Sequence, residues 1–304
     1  MPTRRSWLGR MASVAAVLSL WIVAQSLPQP SSSAPLPRFE TLTPEVWLIP
    51  IDSVTRMRAA VFRPSGRGPF PLVVINHGSA ENEDLRRTQQ LPTFSAVSAW
   101  FVQRGFIVVI PQRPGHGETG GAYFETSGSC DDPDYIRAGL ATAHSIQIAL
   151  NFALEQNFVD KKRVILAGHS AGAWGSLALA SRKPRNLNAV INFAGGRGGH
   201  SYDLPNRNCA TDRLVAAAGY FGKTTKVPTL WLYAENDTFF SPTLAEHMVR
   251  AFQRTGGAAE LYKLPSFGEE GHYLLHSSDA IRMWGPVLEK FLGKFFHSAV
   301  PASN

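Results

Sequence analysis

The chain has 304 residues, 44% of them hydrophobic and 17% charged, with a formal net charge of +7. This composition gives an ordinary globule ample core and excludes a disordered chain, while the length fits one large α/β domain and would permit two. Three of the seven net positives, Arg4, Arg5 and Arg10, fall in an acid-free leader; the remaining +4 forms no basic patch interleaved with aromatics, so nucleic-acid binding is unsupported.

Thr3-Arg4-Arg5-Ser6-Trp7-Leu8 reads as a twin-arginine-like start, followed by an apolar run from Met11 to Leu27 with Ala24-Gln25-Ser26 as a small-residue cleavage site. Residues 1–27 are therefore expected to be an export signal directing the chain to a bacterial periplasm. An uncleaved membrane anchor is the competing reading, because the apolar run is only slightly short of a span. Residues 28–44 are rich in Pro and Ser and read as a linker, which leaves 45–298 as a single domain. The two cysteines, Cys130 and Cys209, suit one disulfide in an oxidising compartment, with two buried free thiols as the alternative. Neither C-x-x-C nor H-E-x-x-H spacing occurs, so no metal and no cofactor are expected.

Within the domain, 46–49 and 54–62 read as an entry hairpin. From there strands and helices alternate: strand 72–75, helix 94–104, strand 106–110 and helix 136–157. Strand 163–167, helix 171–180 and strands 189–193 and 227–234 follow, then a helix from Pro242, a strand at 259–265, and a helix beginning after His272. This alternation predicts a mostly parallel sheet with helices on both faces. Residues 111–135 and 195–222 read as long loops, too short for a large cap domain but long enough to be functional.

The strand at 163–167 runs straight into Gly168-His169-Ser170-Ala171-Gly172. A strand that hands a serine to a tight turn and then a helix forms a nucleophile elbow. The backbone at such a serine is strained, and side chains two residues either side would collide, which Gly168 and Gly172 avoid. The helix that starts at Ala171 directs backbone N–H groups toward the serine, where they suit a developing oxyanion.

A serine needs a base and an acid to orient that base. Asp237 follows the C-terminal end of the strand at 227–234 and is the expected acid, with Glu235 as a nearby rival. His272, on the Gly-rich loop 266–272 after the last strand, is the expected base; His276 is the nearest competitor and reads as a packing residue. Besides the Ala171 N–H, the Ser79 N–H is expected to complete the oxyanion hole, with Gly78 bending the chain and His77 making a structural hydrogen bond. Tyr123, Phe124, Trp174, Tyr202 and Tyr273 are candidate substrate-binding walls, although plain packing would explain each equally well.

Taken together, Ile75-Asn76-His77-Gly78-Ser79, the run from Arg113 to Gly120, Gly168-His169-Ser170-Ala171-Gly172, Glu235-Asn236-Asp237 and Gly271-His272 resemble the α/β-hydrolase superfamily. Within it the chain is most similar to the dienelactone hydrolase-related group. Those enzymes use a cysteine nucleophile, and Ser170 departs from that pattern. The resemblance implies a serine hydrolase of small carboxylic esters working through an acyl-enzyme. A serine peptidase of prolyl-oligopeptidase type is the first alternative, disfavoured because about 45 residues before the domain cannot make a propeller. A non-catalytic binding protein of this fold is the second. The oligomeric state is open.

Overall fold

The computed structural model describes residues 42–296, so the expected signal segment 1–27 and most of the linker 28–44 lie outside the described residues. Eight strands form one sheet: β1 (Glu45–Pro50), β2 (Arg56–Phe62), β3 (Phe70–Asn76), β4 (Ile107–Pro111), β5 (Val159–His169), β6 (Leu187–Phe193), β7 (Thr229–Ala234) and β8 (Ala259–Leu264), in the order β1-β2-β4-β3-β5-β6-β7-β8. β2 runs antiparallel to β1 and β4, and the remaining pairs, β4–β3, β3–β5, β5–β6, β6–β7 and β7–β8, are parallel. The helices are α1 (Glu83–Arg87), α2 (Ser95–Gln103), α3 (Tyr135–Glu155), α4 (Ala171–Ser181), α5 (Thr211–Gly222), α6 (Pro242–Arg254) and α7 (Ile281–Leu292).

Strand side chains point alternately to the two faces, and each face builds its own core. Leu72, Val74, Val164, Leu166, Trp231 and Tyr233 pack on one side with α3, α4, α5 and α6. Their neighbours Val73, Ile75, Ile165, Ala167, Leu230 and Leu232 pack on the other with α2 and α7. Both faces are covered, which is why the central strands read as continuous apolar runs. Among the described residues the expected α/β architecture, without a large cap domain, is the one observed.

Four elements differ from expectation, the first being α1 (Glu83–Arg87), which is not among the predicted elements. Residues 211–222, read as loop, form α5, whose Leu214, Ala217, Ala218 and Phe221 are buried at helical spacing. No regular helix begins directly after His272; a short 3₁₀ turn over Gly271–His276 precedes α7. β5 begins at Val159, four residues before the predicted strand.

Cys130 and Cys209 are joined by a disulfide that ties the loop after β4 to the loop after β6 across a sequence separation of 79 residues. Closing so long a loop restricts the unfolded chain, so reduction should lower stability by roughly 2–4 kcal/mol. Urea unfolding with and without a dithiol reductant checks this. An unchanged midpoint would mean that the bridge does not constrain the unfolded chain.

Candidate active site

β5 sits between β3 and β6 and ends at His169, so Ser170 stands past its C-terminal end, at the edge of the sheet. Ser170 has φ 53° and ψ −123°, a region that costs a non-glycine residue about 1–3 kcal/mol. Its neighbours maintain that geometry. The Ser170 N–H donates to the Phe193 carbonyl at 3.0 Å, and the Ser170 carbonyl accepts from the Trp174 N–H at 3.0 Å. A Cβ at Gly168 would lie 2.5 Å from Ala173 N, and one at Gly172 would lie 2.3 Å from Asn76 O, so both positions need glycine.

α4 begins at Ala171, and its first N–H groups have no intrahelical acceptor. Opposite it, Gly78 brings the chain after β3 so close that a Cβ there would sit 3.2 Å from Ser170 Cβ. Ser79 therefore borders the same cleft as Ser170. Its hydroxyl contacts His116 Nε2 at 2.9 Å and the Tyr123 hydroxyl at 3.0 Å. His116 Nδ1 faces the Arg113 and Pro114 carbonyls, both at 3.2 Å, so Nδ1 carries the proton and Nε2 accepts from Ser79. Burial, reinforced by the Arg113 charge, lowers His116 to about 4 and keeps the ring neutral. His77 Nε2 accepts from the Arg113 N–H at 3.1 Å, the structural role expected of its ring.

Asp237 is buried, and each of its oxygens has a donor. Oδ1 accepts from the Phe239 and Phe240 N–H groups at 2.9 and 2.8 Å, and Oδ2 accepts from His272 Nδ1 at 3.1 Å. Glu235 is exposed and does not occupy this position. The carboxylate fixes the His272 proton on Nδ1 and leaves Nε2 free to accept one. Phe239 stacks on the His272 ring with centroids 4.2 Å apart, and His169 donates from Nε2 to the His272 carbonyl at 2.8 Å. His169 is pushed well below the ordinary histidine range by burial, then by the His272 and His276 charges. Gly271 lets the loop of His272 cross that of Asp237, since a Cβ there would lie 2.5 Å from Asn236 Oδ1.

Ser170 and His272 open into one cleft of about 980 Å³, near the upper end for small-molecule sites. A hydrogen bond from Ser170 Oγ to His272 Nε2 is not among the contacts of the described residues; such bonds commonly tighten only when substrate arrives. Chemically, the arrangement offers a strained hydroxyl, an imidazole oriented by a buried carboxylate, and the N-terminal end of α4 beside the serine.

Of the aromatic residues expected to line the site, Tyr273 does so. Trp174 does not: it is fully buried, donates from Nε1 to the Tyr135 carbonyl at 2.9 Å and packs on Phe221. Lying three residues into α4, it faces α3 rather than the cleft. Tyr123 stands behind Ser79, bonded to its hydroxyl, instead of forming a wall. Phe124 and Tyr202 are 67% and 71% exposed and lie outside the cleft lining.

The principal wall comes instead from the 18-residue connection between β3 and α2, through Leu85, Gln89, Leu91 and Phe94. Its length alone would have marked it as functional. His200 and His276 also face the cleft.

A model of the alpha/beta hydrolase family matches residues 72–292. No curated protein matches the chain. Among solved structures, a puromycin-hydrolyzing peptidase of Mycobacterium tuberculosis superposes with a TM-score of 0.61 at 17% identity, over 86% of this chain and 41% of that one. This chain thus spans about two-fifths of the peptidase. A Klebsiella pneumoniae protein assigned as a dienelactone hydrolase gives 0.56 at 14% identity, over 85% of this chain and 100% of that one. An esterase of Pyrococcus furiosus gives 0.58 at 12% identity, over 83% and 93%. At these identities the structures speak for the fold. The family model, which spans the sheet from β3, the elbow and both loops that meet at Asp237 and His272, shows that the chain belongs to the alpha/beta hydrolase family.

Proposed function

We propose that this hydrolase cleaves small-molecule carboxylic esters through an acyl-enzyme on Ser170. The observation that carries the reading is the buried 3.1 Å contact between Asp237 and His272 beside a strained serine in the same cleft. His272 Nε2 takes the proton of Ser170 as Oγ attacks the ester carbonyl, while Asp237 stays ionised and stabilises the imidazolium. The Ser79 and Ala171 N–H groups bind the oxyanion, each worth about 3 kcal/mol in the transition state. The protonated His272 then gives its proton to the leaving alkoxide. In the second half it activates water, which releases the acid and restores the serine.

Solved structures of similar fold include an esterase and a protein assigned as a dienelactone hydrolase beside a puromycin-hydrolyzing and an acylaminoacyl peptidase, so the ester reading is set directly against amides by experiment. Ser170→Ala should abolish release of nitrophenol from a short-chain nitrophenyl ester. Retained activity in that variant would refute the assignment, and a matched nitroanilide turned over as fast as the ester would move the substrate class to amides.

We also propose that the chain works in an oxidising compartment, the bacterial periplasm. The Cys130–Cys209 disulfide and the twin-arginine-like leader support this placement.

A further inference from the structure

Asp237 and His272 belong to separate loops, past the ends of β7 and β8, that no covalent bond joins. A general base works only when its supporting groups hold it within about 0.5 Å of the productive position. Glu270 links the two loops at the point where they meet. Its Oε1 accepts from the Thr238 N–H and from the His272 N–H, both at 3.0 Å. Its Oε2 accepts from the Thr238 hydroxyl. Thr238 is the residue after Asp237, so one carboxylate grips the neighbour of the acid and the backbone of the base. His200 Nε2 donates to the Thr238 hydroxyl oxygen at 2.8 Å, and the His200 ring stacks on Phe239, which in turn stacks on His272.

We infer that Glu270 is a positioning residue that latches the loop of Asp237 to the loop of His272 and so sets the aim of the base. This inference rests on the reading of His272 as general base. Burial would raise the Glu270 carboxyl, but the hydrogen bonds from the Thr238 hydroxyl and the two N–H groups outweigh it and hold the group below its ordinary value, so it is an acceptor at neutral pH. A plain turn cap would need only the His272 N–H; the two bonds to Thr238 are what couple acid and base.

The test is kcat normalised to sites titrated with an organophosphonate, so that unfolded molecules do not count. Glu270→Ala should lower site-normalised kcat by about 30–100-fold, the scale of a misplacement near 1 Å, with KM changed less than about threefold. Glu270→Gln keeps an oxygen for the two N–H groups and should recover most of that loss. Thr238→Val should cost less, and added to Glu270→Ala it should cost nothing more, because both break the same latch. Unchanged kcat per titrated site in Glu270→Ala, or additive losses in the double variant, would overturn the inference. Should Glu270→Ala fail to fold, Thr238→Val carries the test: a lowered kcat per titrated site at unchanged KM supports the latch, and an unchanged kcat overturns it. A wild-type chain that takes no phosphonate and turns over no ester would instead defeat the hydrolytic reading, and the inference with it.

Discussion

Asp237→Asn is expected to lower kcat by about 10⁴-fold while the fold stays intact. The reason lies in how the carboxylate is held. Oδ1 accepts from two backbone N–H groups, Phe239 at 2.9 Å and Phe240 at 2.8 Å. In the variant only the amide oxygen can take that position, which turns the NH₂ group toward His272 Nδ1. The imidazole must then present an acceptor at Nδ1 and carry its proton on Nε2, the nitrogen that has to receive one from Ser170. Steady-state kinetics on a nitrophenyl ester, with circular dichroism as the control for folding, checks this. A loss smaller than about tenfold would mean that another group orients the base.

Glu125→Ala should destabilise the protein by about 3–5 kcal/mol, the largest effect expected on folding. Glu125 is 2% exposed and lies between two buried guanidiniums, with Arg113 Nε at 2.5 Å and an Arg197 nitrogen at 2.9 Å. Removing it leaves two buried cations without their counter-charge. The damage should reach the site, because Arg113 donates to the His77 carbonyl at 2.9 Å and Arg197 to the Tyr123 hydroxyl at 3.0 Å, which is itself bonded to the Ser79 hydroxyl. Urea unfolding at pH 7 measures the loss; a change under about 1 kcal/mol would show that the charges are solvated.

The same cluster predicts acid sensitivity. Burial alone would raise the Glu125 carboxyl, but the Arg113 and Arg197 charges outweigh it and bring it from 4.5 to about 2. A depressed carboxylate contributes stability that is fully present above the ordinary value of 4.5 and is lost as pH falls toward 2. Glu125→Gln, which cannot titrate, should lose less stability across that window than the wild type does.

The parts of this site that local sterics dictate were legible in the amino-acid sequence. Gly168 and Gly172 flank Ser170 because nothing larger fits beside Asn76 and Ala173, and that constraint leaves a pattern five residues long. The buried central strands were legible for a similar reason: a short unbroken apolar run such as 72–75 marks a strand covered on both faces. Features that depend on distant partners were not. Arg113, Glu125 and Arg197 sit in loops, where charges ordinarily face water, and only the fold brings them into a buried cluster. Trp174 lies near the serine in sequence, but the rotation of α4 turns it into the core. α5 carries two glycines, Gly219 and Gly222, that weaken its helical signal; both allow close contact with α6 at Ala251 and Phe252. The wall formed by the connection between β3 and α2 is polar along much of its length, so no periodic signal marked it.

Mass spectrometry of the chain after reaction with a fluorophosphonate tests the central chemical claim most directly. Peptide mapping should find a single adduct, on the Gly168–Gly172 segment at Ser170, forming in step with the loss of ester turnover. Full activity in a chain whose Ser170 remains unmodified, or inactivation through an adduct at any other residue, would contradict the account.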